Sequence, residues 1–290
     1  MRSIKTKLKV NNKQKTILAK HAGVARHAYN WGLATCIAEY KSTKKRPSAI
    51  TLHKRLVAEV KSENPWYYEV SKCSPQQALR DLDRAFKNFL TVPKHGFPNF
   101  KKKGKKDSFY LEGSIKILKG NYIKLPRIGI VKTYEILPSV PLKNVTISKR
   151  ADNWYISFKY DEQPNPSTKE QDIIGVDVGI NALATCSDGT RFDNVKAYKQ
   201  AKKRLTRYQR SVNKKESGSK NRRKAVKRLG KLHKKVADIR ADALHKLTTW
   251  LAKNHSTIVI EDLNVSGMLK KRSRDGEVSS PYPIDQEIIN

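Results

Sequence analysis

Two short apolar runs in this chain of 290 residues each end at a carboxylate. The first run, IIGV at 173–176, precedes Asp177, and the second, IVI at 258–260, precedes Glu261. Apolar runs of this length indicate buried strands. A carboxylate at the edge of an apolar core is costly unless its charge is compensated, and a divalent metal ion with oxygen ligands is one such partner. Asp177 and Glu261 are therefore the candidate catalytic residues and the candidate metal ligands.

The segments between these runs are predicted to bring the two carboxylates together. An apolar stretch at 182–186 and a turn at 187–189 indicate an antiparallel meander after the first run. Two long basic helices, broken at 216–219, then lead to the second run. Three meandering strands, a helical crossover and a further strand are the order expected of an α/β RNase H-like domain. In that arrangement the strands that carry Asp177 and Glu261 are neighbours.

A pair of carboxylates in this position suits Mg²⁺, a hard cation that prefers oxygen ligands. In phosphodiester hydrolysis such ions activate water, neutralise the phosphate and stabilise the leaving oxygen. Asp262 follows Glu261 directly, and we expect it on the opposite face because side chains alternate along a strand. We therefore assign Asp262 a structural role.

The composition points to a polyanionic partner. Lys and Arg number 61 against 26 Asp and Glu, which gives a formal net charge of +35. DNA and RNA are the simplest partners, because their backbones release counterions when Lys and Arg replace them. No apolar stretch is long enough to span a bilayer and no signal peptide is evident, so we expect a cytoplasmic, nucleoid-associated prokaryotic protein. The three cysteines are too far apart for a zinc knuckle, and no zinc site is expected.

Two basic stretches are the candidate nucleic-acid-binding surfaces. The first, at 97–110, combines lysines with aromatic rings, as surfaces for RNA and single strands do. The second covers the basic helices at 199–240, where the cations have few acids to pair with. The simpler interpretation, that these cations only aid solubility, stays open. The candidate residues are Lys101, Lys102, Lys103, Lys105, Lys106, Arg204, Arg207, Arg210, Arg222, Arg223, Lys227 and Arg228.

The part of the chain before the first carboxylate has a different pattern. Alternating apolar and polar residues at 1–11, and again in runs within 107–162, predict a small antiparallel sheet or barrel. Helical periodicity at about 12–100 predicts a helical insertion between these strands. The expected domains are an α+β nucleic-acid-binding domain at 1–162, an RNase H-like domain at 170–270 and an atypical tail at 271–290.

Four segments, in order along the chain, carry a resemblance to a known family. They are QALRDL at 77–82 leading to GFPNFK at 96–101, LPRIG at 125–129, GVDVG at 175–179, and IEDLNVSGM at 260–268. Together they resemble the transposon-encoded TnpB (OrfB) proteins, compact RNA-guided DNA nucleases related to type V CRISPR effectors. The resemblance covers nearly the whole chain, and the last two segments look like the first and second motifs of the family's RuvC nuclease domain.

This resemblance implies a RuvC-type domain in which Asp177 and Glu261 bind Mg²⁺. It also implies two partners, a guide RNA and a DNA target that is selected by base pairing. One departure matters for the chemistry: family members continue to a pair of zinc knuckles and a third catalytic Asp, which are missing here. Asp275 and Asp285 have no strand or helix pattern to hold them. The resemblance therefore implies an incomplete active site, with two of three carboxylates, and impaired cleavage.

Three alternatives stay open on the sequence. The first is an RNA-guided or RNA-processing protein that binds nucleic acid without cleaving it. The second is a transposase that binds DNA directly, in which N-terminal helices form a helix-turn-helix that reads transposon ends. The third is a decayed fragment without a stable fold.

Overall fold

The computed structural model describes residues 2–161, 173–179 and 181–262, together with the backbone of 271–272 and 278–279. The chain divides into two compact units, residues 1–165 with 212–234 and residues 166–211 with 235–290. The sequence placed both basic helices in the second domain, whereas this division assigns 212–234 to the first unit. Among the helices in the described ranges, none is both long and apolar enough to cross a membrane.

A seven-stranded antiparallel sheet lies at the centre of the first unit. Its strands are β1 (Arg2–Lys9), β2 (Ser108–Glu112), β3 (Lys116–Leu118), β4 (Tyr122–Leu125), β5 (Gly129–Thr133), β6 (Asn144–Arg150) and β7 (Asn153–Tyr160). The strand order is β2-β6-β7-β1-β5-β4-β3, so the N-terminal strand lies in the middle. β1 pairs with β7 along its first six residues and with β5 through Leu8 and Lys9. The alternating sequence thus correctly predicted an antiparallel sheet that the N-terminal strand completes.

Helices lie between β1 and β2 in the chain, as the periodicity predicted. They are α1 (Asn12–Thr43), α2 (Ala49–Arg55), a π-helical turn (Leu56–Val60), α3 (Lys61–Glu63), a 3₁₀ segment (Pro65–Glu69) and α4 (Cys73–Thr91). A capping box begins α1, because the side chains of Asn11 and Gln14 each accept the other residue's backbone N–H. α1 and α4 approach closely at Gly32, where a Cβ would lie 2.7 Å from Leu79 Cδ2. The helices and the sheet share one apolar core.

His21 is a polar residue inside this core. Its Nδ1 lies 2.9 Å from the carbonyl oxygen of Ile17, and the N–H of Ser71 donates to its Nε2 at 3.1 Å. The ring also stacks on Phe109, with 4.9 Å between centroids. Both contacts are satisfied by the neutral imidazole that carries its proton on Nδ1. Burial lowers the pKa of His21, although the hydrogen bond to Ile17 acts in the opposite direction.

A smaller sheet forms the second unit. Its strands are β8 (Ile173–Asp177), β9 (Ala182–Cys186), β10 (Arg191–Asp193) and β11 (Thr257–Ile260), in the order β10-β9-β8-β11. β8, β9 and β10 form the predicted antiparallel meander, and β11 pairs with β8 in parallel. Two helices link β10 to β11, namely α5 (Ala197–Asn213) and α6 (Lys220–Asn254). The core contains Ile174, Val176, Ala184, Cys186, Leu247 and Leu251.

Two short strands follow in the tail. β12 (Lys271–Arg272) pairs antiparallel with β13 (Val278–Ser279). The sequence predicted no strand there, because residues 271–279 are too polar to show an apolar alternation. Asp275 and Asp285 lie outside the described residues.

Candidate functional site

Asp177 and Glu261 lie at the same edge of the second unit's sheet. β8 and β11 run parallel, with Val176 paired to Ile260. The next residue of each chain segment is the carboxylate, so the two acids follow neighbouring strands at their carboxyl ends. Both acids line one open cavity of about 500 Å³. The strand order therefore brings together two residues that are 84 positions apart in the sequence.

The burial of β8 identifies the face on which this cavity lies. Ile174 and Val176 point into the core and are 1% and 6% exposed. Because side chains alternate along a strand, Asp177 and Gly175 share the opposite face. Gly175 has no side chain to occupy the cavity beside Asp177, and its N–H donates to Ser187 Oγ at 3.1 Å. The site is therefore accessible from solvent on this face.

The sequence did not identify Thr185 and Ser187 as site residues, yet both line the cavity. Thr185 pairs with Asp177 across the β8–β9 ladder, which places a hydroxyl beside the first carboxylate. The sequence contains a signal that could have identified them, since Thr185 and Ser187 flank Cys186 at the end of an otherwise apolar run. Cys186 also lines the cavity, but burial raises the pKa of its thiol. It is therefore not an activated nucleophile at neutral pH.

The donors around the cavity are carboxylate and hydroxyl oxygens, which fit a hard divalent cation such as Mg²⁺. Within the described ranges, no group of three or more His, Cys, Asp and Glu side chains is placed to hold a metal ion. The site as described thus offers two carboxylates. Asp262 follows Glu261 but is not among the described residues that line the cavity.

The lysine-rich loop at 101–107 is anchored to helix α1 at both ends. The side chain of Asn30 donates to the carbonyl oxygen of Lys101 at 2.9 Å and accepts the N–H of the same residue at 2.7 Å. One helical turn earlier, Arg26 forms a 3.3 Å ion pair with Asp107. Because both anchors come from one face of one helix, the backbone of the loop is held in place.

The five predicted lysines of this loop differ in their surroundings. The Lys101 ammonium is half-buried and lies 3.9 Å from the centre of the Tyr29 ring. Burial lowers the pKa of Lys101, although the charge of Asp81 acts in the opposite direction. Lys101 therefore helps to fix the loop, whereas charge is presented to solvent by the exposed Lys102, Lys103, Lys105 and Lys106.

The predicted arginines of α5 lie on its exposed surface. Arg204, Arg207 and Arg210 are spaced three residues apart and are all exposed. The Nε of Arg204 donates to the hydroxyl of Tyr208 at 3.3 Å. This hydrogen bond and the charge of Arg204 lower the pKa of Tyr208. Because residues three positions apart are neighbours on a helix surface, the three arginines form a cationic row along one side of α5.

Two of the predicted cations of α6 already have structural contacts in the first unit. Lys227 forms a 2.5 Å ion pair with Asp152 in the turn between β6 and β7. Partial burial favours the neutral acid, but the hydrogen bond and charge of Lys227, together with the charges of Lys231 and Lys149, lower the pKa of Asp152. Arg222 donates to the carbonyl oxygen of Lys215 at 3.4 Å. Arg223 and Arg228 are exposed.

Comparison with known proteins identifies the family. A helix-turn-helix domain model of the OrfB group of IS605 elements matches residues 1–45, and a model of the same group described as a probable transposase matches residues 156–272. The "Putative RNA-guided DNA endonuclease InsQ" of Escherichia coli (strain K12) is 35% identical over 286 residues, which are 97% of this chain and 70% of that protein. The chain belongs to the OrfB (TnpB) family. The resemblance carried by the four sequence motifs is thus confirmed.

A second relative and two solved structures are also similar to this chain. A "Putative RNA-guided DNA endonuclease" of Streptomyces pristinaespiralis is 32% identical over 282 residues, covering 93% of this chain and 68% of that protein. The alignment with the structure of a Cas12f1–sgRNA–target DNA complex covers 90% of this chain and 73% of the matched chain in that complex. The sequence identity is 13% and the TM-score is 0.33. The alignment with a CRISPR-Cas12f ternary complex covers 90% of this chain and 65% of the matched chain, at 14% identity and a TM-score of 0.35.

The segment that matches the helix-turn-helix model has a different local structure in this OrfB chain. Over residues 1–45 the structure has strand β1 and the single uninterrupted helix α1. α1 ends where Lys44 adopts a left-handed conformation, with φ 57°, and donates its N–H to the carbonyl oxygen of Tyr40. The first turn between two helices therefore lies at residues 44–48, between α1 and α2.

Proposed function

We propose that this OrfB-family chain binds Mg²⁺ through Asp177 and Glu261 and acts on a DNA phosphodiester, in a RuvC-type domain with an RNase H-like arrangement. The observation that carries the proposal is the parallel register of β8 and β11, which sets the two carboxylates side by side. A bound Mg²⁺ would supply charge neutralisation at the phosphate and an activated water.

The residues of this chain have distinct roles in the proposal. Asp177 and Glu261 hold the cation and so fix where a phosphate group can approach. Thr185 and Ser187 add hydroxyls that orient water or phosphate oxygens by hydrogen bonding. Gly175 adds no side chain of its own beside Asp177, which leaves room for a nucleic-acid backbone to reach the carboxylates.

The proposed partners are a guide RNA and a DNA target. The OrfB relatives are named as RNA-guided DNA endonucleases, and we extend those partners to this chain. The anchored loop at 101–107 and the arginine row of α5 are the surfaces that would contact phosphates, because their cations are exposed and closely spaced. Target selection would rest on base pairing with the guide.

We further propose that cleavage by this chain is impaired. The described site supplies two carboxylates, whereas the family's site has three, so metal affinity and the stabilisation of the leaving oxygen should both be weaker. The limiting case is an RNA-guided protein that binds its target without cutting it.

A cleavage assay tests this proposal. The purified chain would be loaded with an RNA from the transposon end and incubated with matched DNA and Mg²⁺. We expect slow, Mg²⁺-dependent cutting that Asp177→Ala and Glu261→Ala abolish and that Asp262→Ala leaves within about threefold, because we expect Asp262 to point away from the cavity. RNA-dependent target binding without any cutting would establish the binding-only case. Cutting that survives Asp177→Ala would refute the assignment of the site.

A direct DNA reader is the second candidate, since the helix-turn-helix model matches residues 1–45. In this structure such a reader would need α1, the turn at 44–48 and α2. Binding to the transposon end would then persist after RNase treatment and depend on the end sequence. Loss of binding with RNase would exclude it.

A further inference from the structure

The outer face of the large sheet in the first unit carries rows of lysines. The inward positions of β1 and β5 include Leu8 and Thr133, which are 2% and 0% exposed, so the alternate positions face outward. The registers of β1, β5, β4 and β3 place six lysines at outward positions, namely Lys5, Lys7, Lys9, Lys132, Lys124 and Lys116. No outward position on these four strands carries an acid in the described structure.

Several of these lysines face one another directly. Lys9 is paired with Lys132 across β1 and β5, and Lys116 is paired with Lys124 across β3 and β4. Like charges at directly opposite positions destabilise a sheet, so folding alone does not favour this arrangement. A polyanion lying across the face would offset the repulsion between the lysines, because each ammonium group would then be attracted to the negative charges of the ligand.

Tyrosine rings contact three of the ammonium groups on this face. The Tyr134 ring contacts two of them, with Lys7 Nζ at 4.5 Å and Lys9 Nζ at 4.7 Å from its centroid. Lys132 Nζ lies 5.2 Å from the centre of Tyr122. Tyr134 and Tyr122 remain 51% and 39% exposed, respectively. These three lysines are therefore positioned before any ligand binds, and ring surface is left for stacking.

We infer that this face binds a single-stranded segment of nucleic acid. Successive lysines on β1 are two residues apart, about 6.8 Å along the strand, which is comparable to the separation of neighbouring phosphates in an extended strand. Cations that follow a backbone, interleaved with exposed rings that can stack on bases, are the recognised combination for single-stranded binding. A duplex would bury its bases and leave Tyr122 and Tyr134 unused.

This inference deepens the proposed function, because it rests on the binding of nucleic acid, but it does not depend on cleavage. The proposed site in the second unit and the loop at 101–107 use other residues. Helix α6 approaches the same sheet at β7, where Lys227 pairs with Asp152 and Lys234 Nζ lies 5.4 Å from the centre of the Tyr155 ring.

The test compares two variants that each remove three positive charges. The face variant carries Lys7→Gln, Lys9→Gln and Lys132→Gln. The control carries Lys41→Gln, Lys54→Gln and Lys87→Gln, which are exposed helical positions of the same unit. Binding of labelled single-stranded RNA, single-stranded DNA and duplex DNA is measured by fluorescence anisotropy, in EDTA and over a series of salt concentrations.

We expect the face variant to bind single strands about tenfold or more weakly and to flatten the slope of log affinity against log salt by about 2, since each lost contact contributes about 0.7. The control should stay close to the wild type. Loss confined to the RNA probe would identify the ligand as RNA, and loss confined to single-stranded DNA would identify it as DNA. Equal affinities and slopes for the two variants would overturn the inference.

Two further measurements separate binding from folding. Because Lys9 and Lys132 repel each other, the face variant should melt at the wild-type temperature or above. Tyr134→Leu with Tyr122→Leu should weaken single-strand binding about tenfold and leave duplex binding unchanged. A wild type that binds no probe would refute the proposed function itself, whereas binding that none of these changes alters would refute only the role of this face.

Discussion

The strands of the two units are buried to very different degrees. In the first unit, Ile147 and Ile156 face each other on β6 and β7 and are fully buried. In the second unit, Ile258, Val259 and Ile260 on β11 are 41%, 54% and 65% exposed. β11 pairs only with β8 in the described sheet, which makes it an edge strand.

This difference accompanies a difference in the roles that we propose for the two units. The first unit is a well-packed scaffold whose cationic surfaces are fixed by the core beneath them. The second unit has a small core, and one of its two carboxylates, Glu261, directly follows the exposed strand β11. Binding elements are commonly drawn from the less stable parts of a fold, because they must remain open to the ligand.

Truncation of one isoleucine in each unit gives the largest expected contrast. Ile147→Ala should lower the free energy of unfolding by about 2–5 kcal/mol, because it removes a fully buried side chain and leaves a cavity. Ile260→Ala should cost less than about 1 kcal/mol, because most of that side chain is already in water. Urea unfolding followed by circular dichroism measures both values. Equal losses of unfolding free energy in the two variants would show that β11 is covered in solution. The two units would then not differ in how well their strands are buried.

The buried histidine of the first unit predicts a pH dependence that the second unit's core does not share. The folded-state pKa of His21 is lowered by burial, so the unfolded chain binds more protons once the pH falls below about 6.5. Stability should be fully present above that pH and should decrease as the pH falls towards the folded pKa, by up to about 1.4 kcal/mol per unit. Burial also lowers the pKa of His27 and His53, which adds to the effect.

Thermal unfolding between pH 7.5 and 5 measures this dependence. His21→Gln should melt at a lower temperature at pH 7.5 but lose part of the slope against pH. A slope that is unchanged in His21→Gln would mean that this histidine is not the proton-linked group.

The smallest predicted effect concerns the anchored loop of the first unit. Asn30→Ala removes both hydrogen bonds to Lys101 and should weaken nucleic-acid binding about fivefold, because the exposed lysines of the loop are no longer held in place. Asn30→Asp keeps the acceptor for the Lys101 N–H and should lie between the wild type and the alanine variant. An Asn30→Ala protein with wild-type affinity would show that the loop needs no anchor.

The sequence was sufficient to predict how the site is assembled. The apolar runs before Asp177 and Glu261, and the order of meander, helices and final strand, correctly predicted the pairing of β8 with β11. These signals are local or depend only on the order of elements, so one sequence contains them. The same holds for the antiparallel sheet of the first unit, whose strands alternate clearly.

Other features depend on tertiary contacts and could not be read from periodicity. An apolar run looks the same whether a strand is covered or lies at an edge, so the exposure of β11 was not foreseen. In α6 the neighbouring apolar residues Ala225 and Val226 differ, since the structure buries Ala225 and leaves Val226 48% exposed. Lys101 looked like its four neighbours in the sequence, and only its contacts with Asn30 and Tyr29 distinguish it.

Asp177 and Glu261 are proposed to hold one divalent cation between them. Titration with Mn²⁺, a spectroscopically visible substitute for Mg²⁺, tests it directly when free Mn²⁺ is followed by electron paramagnetic resonance. We predict one site in the wild type and in Asp262→Asn, and its loss in both Asp177→Asn and Glu261→Gln. A site that survives either of those two substitutions, or that disappears in Asp262→Asn, would contradict the claim.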